Sequence, residues 1–156
     1  MKKEKIILIG SGLAGPLMAN YLAKQDYNIT IYERRPDMRK VSQSGGRSIN
    51  LALSSRGIHS LKEIGIFQNI QPFLIPMQGR MIHELNGSIH LQPYGQKKHE
   101  IIFSVSRSKL NKELMSFAEN TGKISIKFEQ ELKRVDLINN TLTFNDLDIP
   151  FDTVIG

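Results

Sequence analysis

The sequence predicts an α/β fold: a Rossmann-like parallel sheet with antiparallel hairpins inserted between its strands. Three observations carry that expectation. A short apolar run, Ile6-Ile7-Leu8-Ile9, passes directly into Gly10-Ser11-Gly12-Leu13-Ala14-Gly15. An amphipathic stretch to about Gln25 then leads into a β-branched run, Ile29-Thr30-Ile31-Tyr32, ended by Glu33. Later in the chain, Asn86-Gly87 and Asn139-Asn140 each separate two extended stretches, as hairpin turns do.

Strand, glycine turn, helix, strand and acid, with the acid about 20 residues beyond the turn, is the pattern of a dinucleotide site. Each glycine has its own task. Gly10 lets the chain turn sharply out of the strand. Gly12, lacking a side chain, lets the backbone approach a pyrophosphate, and Gly15 lets the helix lie close on the sheet. Leu13 and Ala14 open that helix, whose free N–H groups and positive end face the phosphates. Glu33 ends the second strand, where its carboxylate can accept from both ribose hydroxyls. It would repel a 2′-phosphate, so the adenosine half of FAD or NAD fits better than that of NADP.

The remaining elements follow in order. The first helix places Leu13, Leu17 and Tyr21 on one row and Ala14, Met18 and Leu22 on the next, a wide stripe expected to face the core. Residues 34–48 are polar and read as a long loop. Residues 48–53 are extended. Ser54-Ser55 caps a helix through Ile58, Leu61 and Ile64, which Gly65 ends. A short helical piece over 66–70 stops before Pro72. Residues 77–85 and 88–92 form a hairpin around a type I′ turn at Asn86-Gly87. A strand over 101–105 precedes a helix that starts at Ser106-Arg107-Ser108. Leu110, Leu114 and Phe117 share one of its faces, and Gly122 closes it. Residues 123–128 form a strand parallel to the first two. Residues 132–138 and 141–144 make a second hairpin. Residues 151–156 are an apolar strand running to a final glycine, so the domain is expected to be incomplete at its C-terminus.

A length of 156 residues suits one domain, and 40% hydrophobic residues suffice for a core. No apolar run reaches membrane-spanning length. The absence of cysteine excludes disulfides, a thiolate nucleophile and thiolate-ligated metal, and a cytoplasmic setting is the simplest expectation. The net charge of +6 raises the question of nucleic acid, but no reader motif accompanies it, and no nucleic-acid partner is expected. The densest basic stretch, Arg34, Arg35, Arg39, Lys40 and Arg47, suits a pyrophosphate and an anionic reductant or substrate; Arg39 and Lys40 read as solvated surface charges. His59, His83, His90 and His99 share no metal-ligand spacing, so no metal site is expected. No nucleophile–base pair or carboxylate dyad stands out, and no residue is assigned as catalytic.

Four blocks carry a resemblance. They are Gly46-Arg47-Ser48-Ile49-Asn50-Leu51-Ala52-Leu53-Ser54; Ile75-Pro76-Met77 with Arg80-Met81-Ile82-His83; Pro93-Tyr94-Gly95; and Ser106-Arg107 with Leu110-Asn111-Lys112. In order and near-spacing the chain resembles the N-terminal part of the class A flavoprotein monooxygenases, over essentially its whole length. The blocks look most like those of members that hydroxylate L-kynurenine, an aromatic amino acid.

The resemblance implies that residues 1–156 are the first part of an FAD-binding domain, with a substrate-pocket hairpin at about 76–93. It implies FAD as cofactor and NADPH as reductant, with a flavin hydroperoxide delivering oxygen to a small-molecule aromatic amino acid. The rest of the same protein would complete the site, and the 156 residues alone would be inactive. For individual residues it implies that Gly10, Gly12, Leu13, Ala14 and Gly15 meet the FAD pyrophosphate. Tyr32, Glu33, Arg34 and Arg35 lie at the adenosine ribose, and Leu132 places an amide near the adenine. Arg47 and Ala52 lie along the flavin, and Arg107 grips phosphate or the flavin edge. Arg80 and Tyr94 match the substrate clamp. Another aromatic acid as substrate, or a fragment without activity of its own, are the alternatives.

Overall fold

The computed structural model describes residues 4–41, 49–97, 100–145 and 147–156. In chain order its elements are β1 (Lys5–Ile9), α1 (Ala14–Lys24), β2 (Asn28–Tyr32), β3 (Asn50–Leu53), α2 (Ser55–Ile64), α3 (Phe67–Ile70) and β4 (Ile75–Met77). There follow β5 (Gly79–His83), β6 (Ile89–Pro93), β7 (Ile102–Ser106), α4 (Arg107–Asn120), β8 (Ile124–Lys127), β9 (Leu132–Asp136), β10 (Thr141–Phe144), β11 (Leu147–Pro150) and β12 (Thr153–Ile155). They group into two compact units, one of Met1–Arg47 with Leu110–Gly156 and one of Ser48–Lys109.

The first unit is the expected α/β layer. Its sheet has the order β12-β1-β2-β8, and every pairing in it is parallel. Alternation along the strands sorts side chains to two faces. Ile6, Leu8, Ile29, Ile31, Ile124 and Ile126 pack with Ala19 and Ala23 of α1 and Met115 and Ala118 of α4. On the other face Ile7 and Tyr32 pack with Leu142, Phe144 and Phe151. Tyr32 stacks on Phe144 with ring centroids 4.2 Å apart. The second hairpin is thereby tied to the sheet, and β11 extends it to three strands in the order β11-β10-β9.

Two expectations about helix faces are corrected. The buried stripe of α1 is Pro16, Ala19, Asn20 and Ala23, while Met18 is 44% exposed. Small side chains let the helix backbone come close to the sheet, and of the larger apolar residues Leu22 packs at the edge of the core while Met18 turns outward. On α4 the buried residues are Leu110, Asn111, Leu114, Met115 and Ala118; Phe117 is only half-buried.

The second unit holds a sheet of order β3-β7-β4, antiparallel throughout, and the separate β5-β6 hairpin. Ser54 sits at the N-cap of α2 with extended backbone, but its side chain makes no capping bond. Gly65 closes α2 in the left-handed region at φ 90°, as expected. Pro72 does not stop the chain's helical course. It occupies the first turn of a 3₁₀ segment, Gln71–Phe73, where a missing N–H costs nothing.

The turn of the β5-β6 hairpin also departs from expectation. Gly87 donates to the Glu84 carbonyl (3.0 Å) and Glu84 donates to that of Ser88 (2.9 Å), so the loop has three residues rather than two. Gly87 has φ +84°, but Asn86 is not among the positive-φ residues, which rules out type I′. Asn86 instead accepts the Ser88 amide on its Oδ1 at 2.9 Å. This is a tight turn followed by a left-handed glycine. Gly87→Ala is expected to cost about 1 kcal/mol, the penalty of a Cβ in that region, and Gly87→Asn much less. Hydrogen exchange of the Glu84 amide measures the difference.

Candidate functional site

The glycine turn sits where the parallel strands end. Gly10 has φ +97°, which only glycine adopts freely, and its amide donates to the Tyr32 carbonyl at 2.8 Å. β1 and β2 are therefore laced together at their carboxyl ends, the position at which open α/β sheets bind ligands. A cleft of about 520 Å³ opens there, lined among others by Gly10, Gly12, Tyr32, Glu33, Arg34 and Arg35. Gln130, Glu131 and Leu132 form its far side.

The two remaining glycines differ sharply. A Cβ on Gly15 would stand 2.1 Å from the Gly10 carbonyl oxygen, so the close approach it permits is to the turn itself rather than to the sheet. A Cβ on Gly12 would meet no atom within 4 Å. Among the described residues no atom requires a glycine at position 12, and the residue borders the cleft. The N-terminus of α1 behind it has no acidic residue in its first turn and no side-chain cap, leaving its N–H groups for an anion. Leu13 is the N-cap residue and Ala14 the first of the helix.

Glu33 is only 5% exposed. Its Oε2 accepts the Ser11 amide at 2.8 Å. Its Oε1 accepts the Arg35 amide at 2.9 Å and the Arg35 Nε at 2.8 Å. Burial pushes the carboxyl up, but the Arg35 guanidinium and the two amides outweigh it and hold the group below its ordinary range. The acid is thus ionised and aimed, and its Oε2 also accepts a longer bond from the Arg35 NH2 at 3.4 Å. Tyr32, by contrast, contributes a wall of the cleft while its ring lies in the core.

Arg39 is not a solvated charge. Its guanidinium grips Asp37 through Nε (2.9 Å) and NH2 (2.8 Å), reaches Glu119 through NH1 (2.7 Å), and lies 5.6 Å from the Phe128 ring centre. The Arg39 guanidinium, against some opposing burial, draws the Asp37 carboxyl down. This clasp fixes the segment after Arg35 to α4.

The other sequence-derived residues lie in the second unit. Ala52 is exposed on β3 opposite Ser104, and Arg107 opens α4 with its amide donating to the Ile49 carbonyl at 3.0 Å. Arg80 on β5 pairs with Gln92, whose Oε1 accepts its Nε at 2.7 Å. The ladder continues to Tyr94, whose amide donates to the Gln78 carbonyl at 3.0 Å. Residues 80 and 92 consequently share one face of the hairpin, and the Tyr94 amide continues the pairing beyond the strand end. Arg47 lies outside the described residues. Sequence reasoning missed Ser11, Gln92, Gln130 and Glu131; only the hairpin register, for Gln92, was there to be read.

Comparison with known proteins agrees with this geometry. The model of the FAD binding domain family matches residues 3–143. A kynurenine 3-monooxygenase of Myxococcus xanthus (strain DK1622) is 43% identical over 145 residues, covering 93% of this chain and 31% of that protein. Another, from Legionella pneumophila (strain Corby), is 42% identical over 143 residues, with 92% and 32% covered. The chain spans about a third of the length of the curated relatives it matches. Among solved structures, a 2-methyl-3-hydroxypyridine-5-carboxylic acid oxygenase superposes with TM-score 0.79 at 17% identity, over 99% of this chain and 39% of that one. A p-nitrophenol 4-monooxygenase from Pseudomonas putida DLL-E4 does so at 0.72 and 14%, over 91% and 36%. At such identities these likenesses concern the fold alone.

Proposed function

Because the chain belongs to the FAD binding domain family, we propose that its cleft holds the adenosine-pyrophosphate half of FAD within an NADPH-dependent monooxygenase that hydroxylates L-kynurenine. The observation that carries the nucleotide part is the open space at Gly12 beside a buried, ionised Glu33. Glu33 accepts from the ribose, the turn and the start of α1 donate to the pyrophosphate, and Arg34 and Arg35 neutralise it. Leu132 offers its backbone at the adenine. Ala52, Arg107 and Arg47 are assigned to the rest of the cofactor. When bound, FAD supplies the redox chemistry that activates oxygen, so no side chain of this chain need act as acid, base or nucleophile.

The substrate part rests on the relatives at 41–43% identity, which bear the kynurenine 3-monooxygenase name. It also rests on the hairpin. Arg80, held by Gln92, presents a guanidinium fork, and Tyr94, 45% exposed, offers a phenol near the end of the same hairpin. Together they suit the carboxylate of an α-amino acid. A cytoplasmic setting belongs to the same reading. Among the described residues no helix is long and apolar enough to cross a membrane.

Kynurenine-stimulated NADPH oxidation with formation of 3-hydroxykynurenine by the whole protein tests the proposal; absence of both sinks the substrate assignment. Arg80→Ala and Tyr94→Phe are expected to raise KM for kynurenine by about tenfold or more, the loss of a charged or neutral hydrogen bond. A substrate of another kind would leave that KM unmoved.

A further inference from the structure

We propose that Asn111 is a positioning residue for the nucleotide site, acting on the glycine turn from α4 without touching the ligand. The inference rests on the reading of the cleft as an FAD adenosine site. Asn111 is 6% exposed and lies a hundred residues from the turn in sequence. Its Nδ2 donates to the Ser11 carbonyl at 3.0 Å and lies 3.3 Å from the Met38 sulfur. The Ser11 amide donates to Glu33 at 2.8 Å. Residue 11 is therefore held on both sides, its N–H by the ribose-binding acid and its C=O by Asn111.

That grip has a geometric consequence. In a trans peptide the C=O and the following N–H point in opposite directions. Pinning the Ser11 carbonyl toward α4 turns the Gly12 N–H away from α4. Gly12 itself borders the cleft and has no atom within 4 Å of a Cβ position. The amide so oriented is the donor a pyrophosphate oxygen needs, and Asn111 sets its direction before any ligand arrives.

The same side chain is only half satisfied. Among the described residues its buried Oδ1 has no hydrogen-bond partner, nor has the Ser11 Oγ. Asn111→Leu removes the partner of the Ser11 carbonyl and leaves a buried acceptor unsatisfied, which is destabilising. Leucine on this face would extend the apolar row of Leu110, Leu114, Met115 and Ala118. A purely structural role therefore predicts a lower thermal midpoint for Asn111→Leu with ADP affinity unchanged.

The test uses the whole protein, its Asn111→Leu variant and, as a packing control on the same face, Met115→Leu. Three quantities are measured: thermal midpoint, hydrogen exchange of the Ser11 amide without ligand, and ADP affinity by calorimetry. Asn111→Leu is expected to lower the midpoint, to speed Ser11 exchange, and to weaken ADP binding by about tenfold, one hydrogen bond's worth. Met115→Leu leaves exchange and affinity unchanged. Unchanged Ser11 exchange, or equal ADP affinity in Asn111→Leu and a parent that binds, overturns the assignment of Asn111. A parent that binds neither ADP nor FAD overturns the underlying reading of the cleft.

Discussion

Gly12→Ala leaves the thermal midpoint within a degree or so (~0.5 kcal/mol) and weakens ADP and FAD binding by about ten- to a hundredfold. The added methyl meets no protein atom within 4 Å, so folding does not register it. A pyrophosphate lying against the turn does, because overpacking a close contact costs about 1–3 kcal/mol. Gly15→Ala behaves in the opposite way. Its methyl would stand 2.1 Å from the Gly10 carbonyl oxygen, a backbone atom that cannot give way without opening the turn. Stability and binding fall together in that variant. Melting curves with and without ADP separate the two substitutions, and a Gly12→Ala chain that bound ADP as well as the parent would remove the ligand from the turn.

Glu33→Gln has the second large effect. Glutamine keeps the shape but sets an NH₂ group against the donors of Ser11 or Arg35. Losing a charge-assisted hydrogen bond of about 1.5–3 kcal/mol implies a ten- to hundredfold loss of FAD affinity. The acid also contributes a pH dependence whose sign is fixed. Its folded-state pKa lies below the ordinary value, the net result of opposing burial and of the bonds from Arg35 and Ser11. Such a group stabilises the fold above the unfolded-state pKa, and that contribution is lost as pH falls through the folded-state value. Denaturant unfolding across the acid range should show Glu33→Gln less sensitive to pH than the parent; equal slopes would contradict the geometry at Ser11 and Arg35.

What was legible in the sequence was whatever is written locally. A strand, a glycine turn, a helix and an acid are encoded by near-neighbour periodicity and by single residues with one available conformation. Gly10, Gly65 and Gly122 all adopt the left-handed backbone their positions required. The parallel strand at Ile124–Lys127 and the terminal strand at Thr153–Ile155 were readable from β-branched runs alone. Hydrophobicity misled where closeness mattered more than apolar area. The face of α1 that meets the core is built from Pro16, Ala19, Asn20 and Ala23, and larger side chains would hold the helix off the sheet. Arg39 misled for a related reason: no local pattern reveals that Glu119, eighty residues on, will face it.

The hairpin shows how little separates the two kinds of information. A two-residue turn at Asn86-Gly87 would set Arg80 opposite Pro93. The three-residue loop sets Arg80 opposite Gln92 instead, and a slip of one residue exchanges the faces of a strand. The dinucleotide turn, its helix and its acid are determined by the sequence itself, because each depends on spacing within some thirty residues. The grip of Asn111 on the Ser11 carbonyl and the reach of Arg39 to Glu119 were decided only by tertiary structure. Each depends on a partner eighty to a hundred residues away, and no local propensity encodes such a partner.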